Sequence, residues 1–94
     1  MTSKERAKLR SMANGLQPIF QIGKDGISEN LLKQIEDALE ARELIKVNVL
    51  ETAGVTARDL CHEIAAEIEA EPVQVIGNKF VLYKKSSKKP KIEL

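Results

Sequence analysis

Hydrophobic positions along this 94-residue chain follow two spacings, one typical of helices and one typical of strands. In three segments apolar residues recur every three or four positions, and in four shorter segments they alternate with polar residues or form a continuous run. The order of these segments predicts helix, strand, helix, strand, helix, strand, strand. Such an alternation is typical of an α/β fold.

The three predicted helices begin at polar residues that can cap them. Thr2 and Glu5 have the spacing of a capping box, Ser28 precedes the second helix, and Thr56 precedes the third. Asn14-Gly15 is suited to a left-handed stop after the first helix. The apolar stripes expected to face the core are Leu9, Met12, Ala13 and Leu16, then Leu31, Leu32, Ile35, Ala38 and Leu39, then Leu60, Cys61, Ile64, Ala65 and Ile68. The acidic residues of the second helix should largely face water: Glu36, Asp37, Glu40 and Glu43.

The four predicted strands are residues 19–22, 44–50, 73–76 and 79–83. Gly77-Asn78 separates the last two and is suited to a tight hairpin turn, so these strands should be antiparallel. Strands joined through the second and third helices should be parallel, with right-handed crossovers. The result is a mixed four-stranded sheet with at least those two helices on one face, which is a two-layer sandwich. The pattern does not place the first helix.

The charges are distributed unevenly although the net charge is only +1. Residues 1–24 contain five basic residues and one acidic residue, and residues 72–94 contain six and one. Residues 25–71 contain four basic and twelve acidic residues. If the fold brings both basic ends and the turn at Lys24 to one side, that side binds polyanions. The alternative is a basic tail and ordinary solvated surface charge.

The first predicted strand stops at a glycine-bracketed turn, Gly23-Lys24-Asp25-Gly26, and a helix begins almost directly after it. Glycines allow close approach to the backbone, the first amides of a helix lack intrahelical partners, and Lys24 adds a positive charge. This arrangement is suited to holding a phosphate. Asp25 would repel the phosphate by an amount that salt reduces. Taken alone, the turn is also compatible with an ordinary connection between a strand and a helix.

The residue types offer no catalytic or metal-binding constellation. Cys61 is the single cysteine, which excludes an intramolecular disulfide and a cysteine-based zinc cluster. His62 is its neighbour, and adjacent helical residues point about 100° apart, which argues against a catalytic pair. The aromatic residues Phe20, Phe80 and Tyr83 are too few for a platform on which bases stack. We therefore expect that the protein is not an enzyme and that it binds neither a metal ion nor a cofactor.

The chain is expected to form one domain, residues 1–85, followed by a basic flexible tail, residues 86–94. No apolar run approaches the roughly 20 residues that a membrane span needs. The N-terminus leads straight into charged sequence, and the single cysteine fits a reducing compartment. These features predict a soluble cytoplasmic protein.

Three segments occur together in a specific order and spacing: residues 18–28 with the Gly-x-x-Gly turn, residues 38–47, and the hairpin of residues 73–83. On these motifs, which cover nearly the whole chain from the first helix through Tyr83, the sequence resembles the bacterial YhbY proteins, which are stand-alone CRM domains. The resemblance implies a fold similar to the C-terminal domain of bacterial translation initiation factor three. It also implies association with ribosomal RNA in precursors of the large ribosomal subunit.

The same resemblance implies RNA binding through the turn and a basic surface, without catalysis, in the assembly of ribosomes. The expected RNA-binding residues are Gly23, Lys24, Asp25, Gly26, Ser28, Lys4, Arg6, Lys8, Arg10, Lys79, Lys84 and Lys85. We expect a monomer that contacts neither a membrane nor a small-molecule substrate. The alternative function is that of an adaptor whose acidic helices dock a basic ribosomal protein.

Overall fold

The computed structural model describes residues 1–94 and contains three α-helices and four strands. The helices are α1 (Ser3–Ala13), α2 (Glu29–Arg42) and α3 (Ala57–Ile68), and a single 3-10 turn, Glu51–Ala53, precedes α3. The strands are β1 (Phe20–Ile22), β2 (Leu44–Val49), β3 (Glu71–Ile76) and β4 (Lys79–Tyr83). The α/β class and the order of elements predicted from the sequence are confirmed.

The strands form one mixed sheet in the order β1-β2-β4-β3. Strands β1 and β2 are parallel, while β4 is antiparallel to both of its neighbours. The hairpin thus inserts its second strand between β2 and β3. The parallel pair and the antiparallel hairpin agree with the prediction, whereas the order of the strands was not specified by the sequence pattern.

The main core lies between the sheet and helices α2 and α3. Alternate residues of the central strands point to this side, and Ile45, Val47, Phe80 and Leu82 are almost fully buried there. Both helices present their predicted apolar stripes to the sheet. The sandwich of a sheet and two helices is therefore confirmed.

Helix α1, which the sequence pattern left unplaced, lies against the opposite face of the sheet, so it adds a partial third layer to the predicted two-layer sandwich. Leu9 and Ala13 are fully buried in a smaller cluster with Leu44, Val81 and Tyr83. This cluster lies toward the end of the sheet where β2 begins and β4 ends. The other half of the same face remains accessible, since Gln21 is exposed there.

Side-chain caps begin the three helices as predicted. The Thr2 hydroxyl accepts a hydrogen bond from the Glu5 amide, and the Glu5 carboxylate accepts one from the Thr2 amide. The hydroxyl groups of Ser28 and Thr56 each accept an amide hydrogen bond from the first turn of the following helix. Such caps satisfy amides that lack intrahelical partners and stabilise a helix by about 1 kcal/mol each.

The predicted left-handed stop after α1 is wrong. Asn14 has right-handed helical angles, and Gly15 does not have a positive φ. The Leu16 amide instead donates to the Ala13 carbonyl over 3.0 Å, which closes a four-residue turn. A right-handed turn of this kind needs no glycine, so Gly15 does not reveal how the helix ends.

The prediction that Glu43 faces water is also wrong, because this residue is fully buried. Its carboxylate accepts hydrogen bonds from the amides of Ser86 at 2.8 Å, Lys91 at 2.5 Å and Ile92 at 2.7 Å. Glu43 follows the last residue of α2 and has a φ of +67°. Helical spacing does not predict its direction because its backbone has already left the helix.

The segment after β4 packs against the domain, contrary to the expectation that its polarity prevents packing. Ser86 is buried, and Ser86 and Ser87 both donate hydrogen bonds to the Glu40 carboxylate. Ile92 contacts the smaller core. These contacts are mainly hydrogen bonds to acidic side chains of α2, which a search for apolar residues does not detect.

Candidate nucleic-acid interface

The glycine-bracketed turn lies at one end of the sheet, which we call the loop end. Here β1 and β2 finish while β4 begins, with Ile22 opposite Val49 and Asn48 opposite Lys79. The Gly26 amide donates to the Gly23 carbonyl over 3.0 Å and closes the turn. The turn therefore has a defined backbone path between β1 and α2.

The two glycines of the turn are required for different steric reasons. A Cβ atom on Gly23 would lie 3.2 Å from Oγ1 of Thr52 and 3.5 Å from Cδ1 of Leu50. The turn thus packs closely against the segment that follows β2. Gly26 has a φ of +63°, a conformation that side chains disfavour. One glycine permits close packing, and the other permits the backbone to change direction into α2.

Helix α2 begins directly behind the turn. The Ser28 hydroxyl accepts from the Leu31 amide over 3.0 Å, whereas the amides of Glu29 and Asn30 have no acceptor in the protein. They lie beside a shallow concavity of about 260 Å³ that is lined by the turn, Ser28 and Asn30. Unpaired amides and the positive end of the helix dipole favour an anion at this place.

The two charged residues of the turn are both free. Lys24 and Asp25 are exposed, and neither forms an ion pair. The lysine can therefore reach an anion above the helix N-terminus, while the carboxylate opposes the anion. Because Asp25 is exposed, solvent and salt weaken its repulsion.

Lys79 is a predicted basic residue that shares the loop end with the turn. It lies on β4, two strand spacings or about 10 Å from β1. Lys46 lies on the same face of the neighbouring strand β2 and was not among the predicted site residues. Strand alternation already placed Lys46 away from the apolar face, but only the sheet order shows that it is close to Lys79.

The fold does bring the two chain ends together, but at the opposite end of the sheet, which we call the far end. Lys84 follows β4 and is five residues, or about 17 Å, from Lys79 along the strand direction. Its amide donates to the carbonyl of Glu43, at the end of α2 remote from the turn. The condition that both basic chain ends lie on the same side as the turn is therefore not met, and the basic residues form two groups.

Several basic residues of the far end are engaged in internal contacts. Arg6 forms an ion pair with Glu71 at 2.8 Å and also donates to a backbone carbonyl of β3. The Lys84 ammonium donates to the Ile68 carbonyl at 2.7 Å, and that of Lys8 donates to a carbonyl near the C-terminus. The remaining predicted basic residues outside the loop end are exposed without such contacts: Lys4, Arg10 and Lys85.

The cysteine, the histidine and the acidic side chains are poorly placed for catalysis or metal binding. Cys61 is buried, and burial raises the pKa of its thiol to about 11, so the nucleophilic thiolate is scarce at neutral pH. His62 is exposed on α3. No group of three His, Cys, Asp or Glu side chains could hold a metal ion. None of the helices has the length and apolar character needed to cross a bilayer.

Comparison with known proteins extends the resemblance noted from the motifs. The family model of the CRS1 / YhbY (CRM) domain matches residues 1–84. Probable RNA-binding protein YqeI of Bacillus subtilis is 47% identical over 94 residues, which is 100% of this chain and 98% of the relative. A Haemophilus influenzae protein named RNA-binding protein is 36% identical over 94 residues, which is 100% of this chain and 94% of the relative.

A solved structure shows the same fold. The solution structure of a hypothetical protein from Staphylococcus aureus matches with a TM-score of 0.79 and 44% sequence identity. The match covers 100% of this chain and 98% of the other. Sequence relatives, a solved fold and a family model thus agree over nearly the entire length, and the chain belongs to the CRS1 / YhbY (CRM) domain family.

Proposed function

We propose that this protein is a non-catalytic RNA-binding protein that assists assembly of the large ribosomal subunit. Family membership and the names of the Bacillus and Haemophilus relatives support RNA as the ligand. The choice of ribosomal precursor RNA rests on the resemblance of the three sequence motifs to bacterial YhbY proteins.

The observation that carries the proposal is the position of the turn at the N-terminus of α2. Gly26 leaves the backbone open, since no atom lies within 4 Å of where its Cβ would be, and the amides of Glu29 and Asn30 lack protein acceptors. A backbone phosphate of RNA can accept from these amides while it meets the positive end of the helix dipole. Lys24 then adds a charge-assisted contact.

The basic residues around the turn extend this contact along the RNA. Lys79 lies about 10 Å across the sheet from Gln21, the strand residue just before the turn, and can contact a neighbouring phosphate group. Lys4 and Lys85 contact phosphates near the far end, and Arg10 contacts phosphates along α1 between the two ends. Contacts of this kind give affinity and salt dependence, whereas they carry little information about base sequence.

Binding of a large-subunit ribosomal RNA fragment to exposed-charge variants tests the phosphate site. Lys24→Glu should weaken binding. It should also make the slope of log affinity against log salt concentration less steep by roughly 0.7–0.9, which is the contribution of one phosphate contact. Asp25→Asn should strengthen binding because it removes the opposing charge, and the gain should shrink as salt rises. Lys33→Glu, an exposed lysine on α2, is the matched control. Equal effects of Lys24→Glu and Lys33→Glu at every salt concentration would exclude the turn as the site.

Sedimentation of cell extracts through a sucrose gradient tests the ribosomal part separately. The protein should travel with precursors of the large subunit, and crosslinking followed by sequencing should recover large-subunit ribosomal RNA. Lys24→Glu should move the protein toward the top of the gradient. A wild-type protein that binds RNA in solution but never travels with these particles would refute the ribosomal role alone.

Helix α2 offers few free acidic side chains to a basic protein partner, so it supports the adaptor alternative less than the RNA proposal. Glu40 is already hydrogen-bonded to Ser86 and Ser87, so mainly Glu36 and Asp37 remain free for a basic partner. Charge reversal of Glu36 and Asp37 should therefore leave association with ribosomal particles intact under the RNA proposal and abolish it under the adaptor model.

A further inference from the structure

Part of the sheet face on which α1 packs is not covered by any element, and we call it the open face. Its residues come from all four strands and lie mainly toward the loop end: Gln21, Lys46, Asn48, Gln74, Ile76 and Lys79. The set contains two lysines, three amides and one apolar side chain, but no acidic residue. This composition differs from that of the rest of the chain, where acidic residues are frequent.

The strand register places these side chains in two rows. Gln21 is opposite Asn48, Asn48 is opposite Lys79, and Lys79 is opposite Ile76, so one row crosses the entire sheet. In the second row Lys46 is opposite Val81, which is opposite Gln74. Neighbouring strands are about 4.8 Å apart, and side chains on one face of a strand are about 7 Å apart. The open face is thus a regular array of hydrogen-bonding groups around an apolar strip.

A shallow depression of about 110 Å³ lies within this array. It is lined by Asn14, at the C-terminal end of α1, and by five residues of the sheet: Lys46, Gln74, Ile76, Lys79 and Val81. Ile76 is 60% exposed, the largest exposed fraction among the large hydrophobic residues. The depression therefore offers an apolar floor beside two cations, a combination that suits a flat group attached to a negatively charged backbone.

One polar atom of the array forms no hydrogen bond within the protein. Oδ1 of Asn48 is buried and has no hydrogen-bond partner, and it is the only buried side-chain nitrogen or oxygen atom in that condition. An unsatisfied buried acceptor costs about 1–3 kcal/mol. A ligand that brings an N–H or O–H donor next to Asn48 would recover this cost.

We propose that the open face binds an unpaired nucleotide of the RNA whose phosphate lies at the turn. The proposal rests on the proposed function and adds the structural class of RNA, since a base in a duplex has its pairing edge occupied. Lys46 and Lys79 neutralise phosphates, and the exposed Ile76 contacts the face of the base. A rotation of the Asn48 side chain brings its unpartnered acceptor to an exocyclic amino group or a ribose hydroxyl.

The open face adjoins the glycine-bracketed turn, which supports an RNA chain as the ligand of both. Gln21 begins the first row and is separated from Gly23 of the turn by a single residue. A chain with its phosphate at the turn therefore meets the first row within the next nucleotides. The open face has no aromatic side chain, so the base lies against aliphatic groups, and the site is expected to accept bases with limited sequence preference.

Two RNAs of equal length test the inference, one a hairpin with an unpaired loop and the other a fully paired duplex. Wild-type protein should bind the hairpin more tightly than the duplex. Lys46→Gln should reduce the salt slope for the hairpin by about 0.7, and Ile76→Ser should bring the ratio of hairpin to duplex affinity toward one. Lys46→Arg and Ile76→Val retain the charge and the apolar contact, so they are the matched controls and should behave as wild type.

The outcomes separate this inference from the proposed function. If Lys24→Glu weakens both RNAs while Lys46→Gln and Ile76→Ser change neither, the phosphate site stands and the open-face site is excluded. Equal wild-type affinity for hairpin and duplex also excludes it. Absence of wild-type binding to both RNAs refutes the RNA-binding function itself. In NMR titration with the hairpin, amides of residues 46–48 and 74–81 should shift, and shifts confined to residues 23–31 would contradict the open-face site.

Discussion

Glu43 illustrates at the scale of a residue how a charged side chain can be part of a core. Its carboxylate is enclosed between α2 and the C-terminal segment and accepts three backbone amides. Burial raises the pKa of this carboxyl group, but the hydrogen bonds from Ser86, Lys91 and Ile92 outweigh burial, and the pKa lies below its usual value. The charged form is therefore part of the folded structure.

The pKa values of Glu40 and Glu43 predict loss of stability in acid. Hydrogen bonds from Ser86 and Ser87 lower the pKa of Glu40 from 4.5 to about 2. Because both folded-state pKa values are lowered, the stabilisation is complete above the unfolded value of 4.5 and disappears as the pH falls through the folded values. The midpoint of thermal unfolding should thus be constant near neutral pH and decline below pH 4.5.

Thermal unfolding of Glu40→Gln across the same pH range checks this prediction. The variant should lose part of the acid-dependent decline because its side chain no longer titrates. Glu36→Gln, an exposed change on the same helix, should follow the wild-type curve. Identical pH profiles for Glu40→Gln and wild type would show that these hydrogen bonds do not stabilise the folded state.

At the scale of elements, the C-terminal segment functions as a clasp on the end of α2. Its amides and serine hydroxyls bind Glu40 and Glu43, and the Lys91 ammonium donates to the Ala41 carbonyl at 2.5 Å. That last contact satisfies a carbonyl in the final turn of a helix, where intrahelical donors are missing. The segment therefore completes a helix end although it has no secondary structure of its own.

Deletion of residues 86–94 should destabilise the domain as well as weaken RNA binding. Deletion removes three amide donors from the Glu43 carboxylate and exposes this group to water. A hydrogen bond to a charged group contributes about 1.5–3 kcal/mol, and each kcal/mol corresponds to roughly 4–8 °C in a domain of this size. Calorimetry measures the change, with deletion of the exposed Leu94 alone as the control. In a Glu43→Ala background the same deletion should cost less, because the two changes remove one shared interaction. An unchanged melting temperature on deletion would refute the clasp.

At the scale of the whole molecule, the charges form two basic groups separated by the length of the sheet. The loop end contains Lys24 and Lys79 with the open face, while the far end contains Lys85 and Lys4. Arg10 lies between the two groups, one helical turn before Asn14, which lines the depression of the open face. The acidic side of α2 connects the two ends. An RNA that contacts both groups must therefore pass around the molecule or follow the face occupied by α1.

The separation predicts additive effects of distant charge changes. For a long ribosomal RNA fragment, Lys24→Glu and Lys85→Glu should each weaken binding, and the double variant should lose the sum of the two free energies. For a short hairpin bound at the loop end, Lys85→Glu should have little effect because the charges are farther apart than the Debye length of about 8–10 Å. Fluorescence anisotropy with both RNAs provides the measurement. Equal sensitivity of the short hairpin to both changes would indicate a single basic surface.

Much of the fold was predictable because its signals are local. Caps at Thr2, Ser28 and Thr56, the apolar stripes of α2 and α3, and the hairpin turn at Gly77 depend on residues close in sequence. The Gly-x-x-Gly turn was predicted for the same reason. Local hydrogen bonds and periodicity suffice for such features, since no distant residue needs to be known.

The sequence by itself determined the elements, the class of the fold, the family motifs and the turn before α2. Only the tertiary structure decided the strand order, the position of α1, the burial of Glu43 and the division of basic residues between two ends. These depend on which segments lie side by side after folding, and the linear charge pattern contains no such distances. The open face became visible only at this level, because Lys46 and Lys79 become neighbours through pairing of β2 with β4.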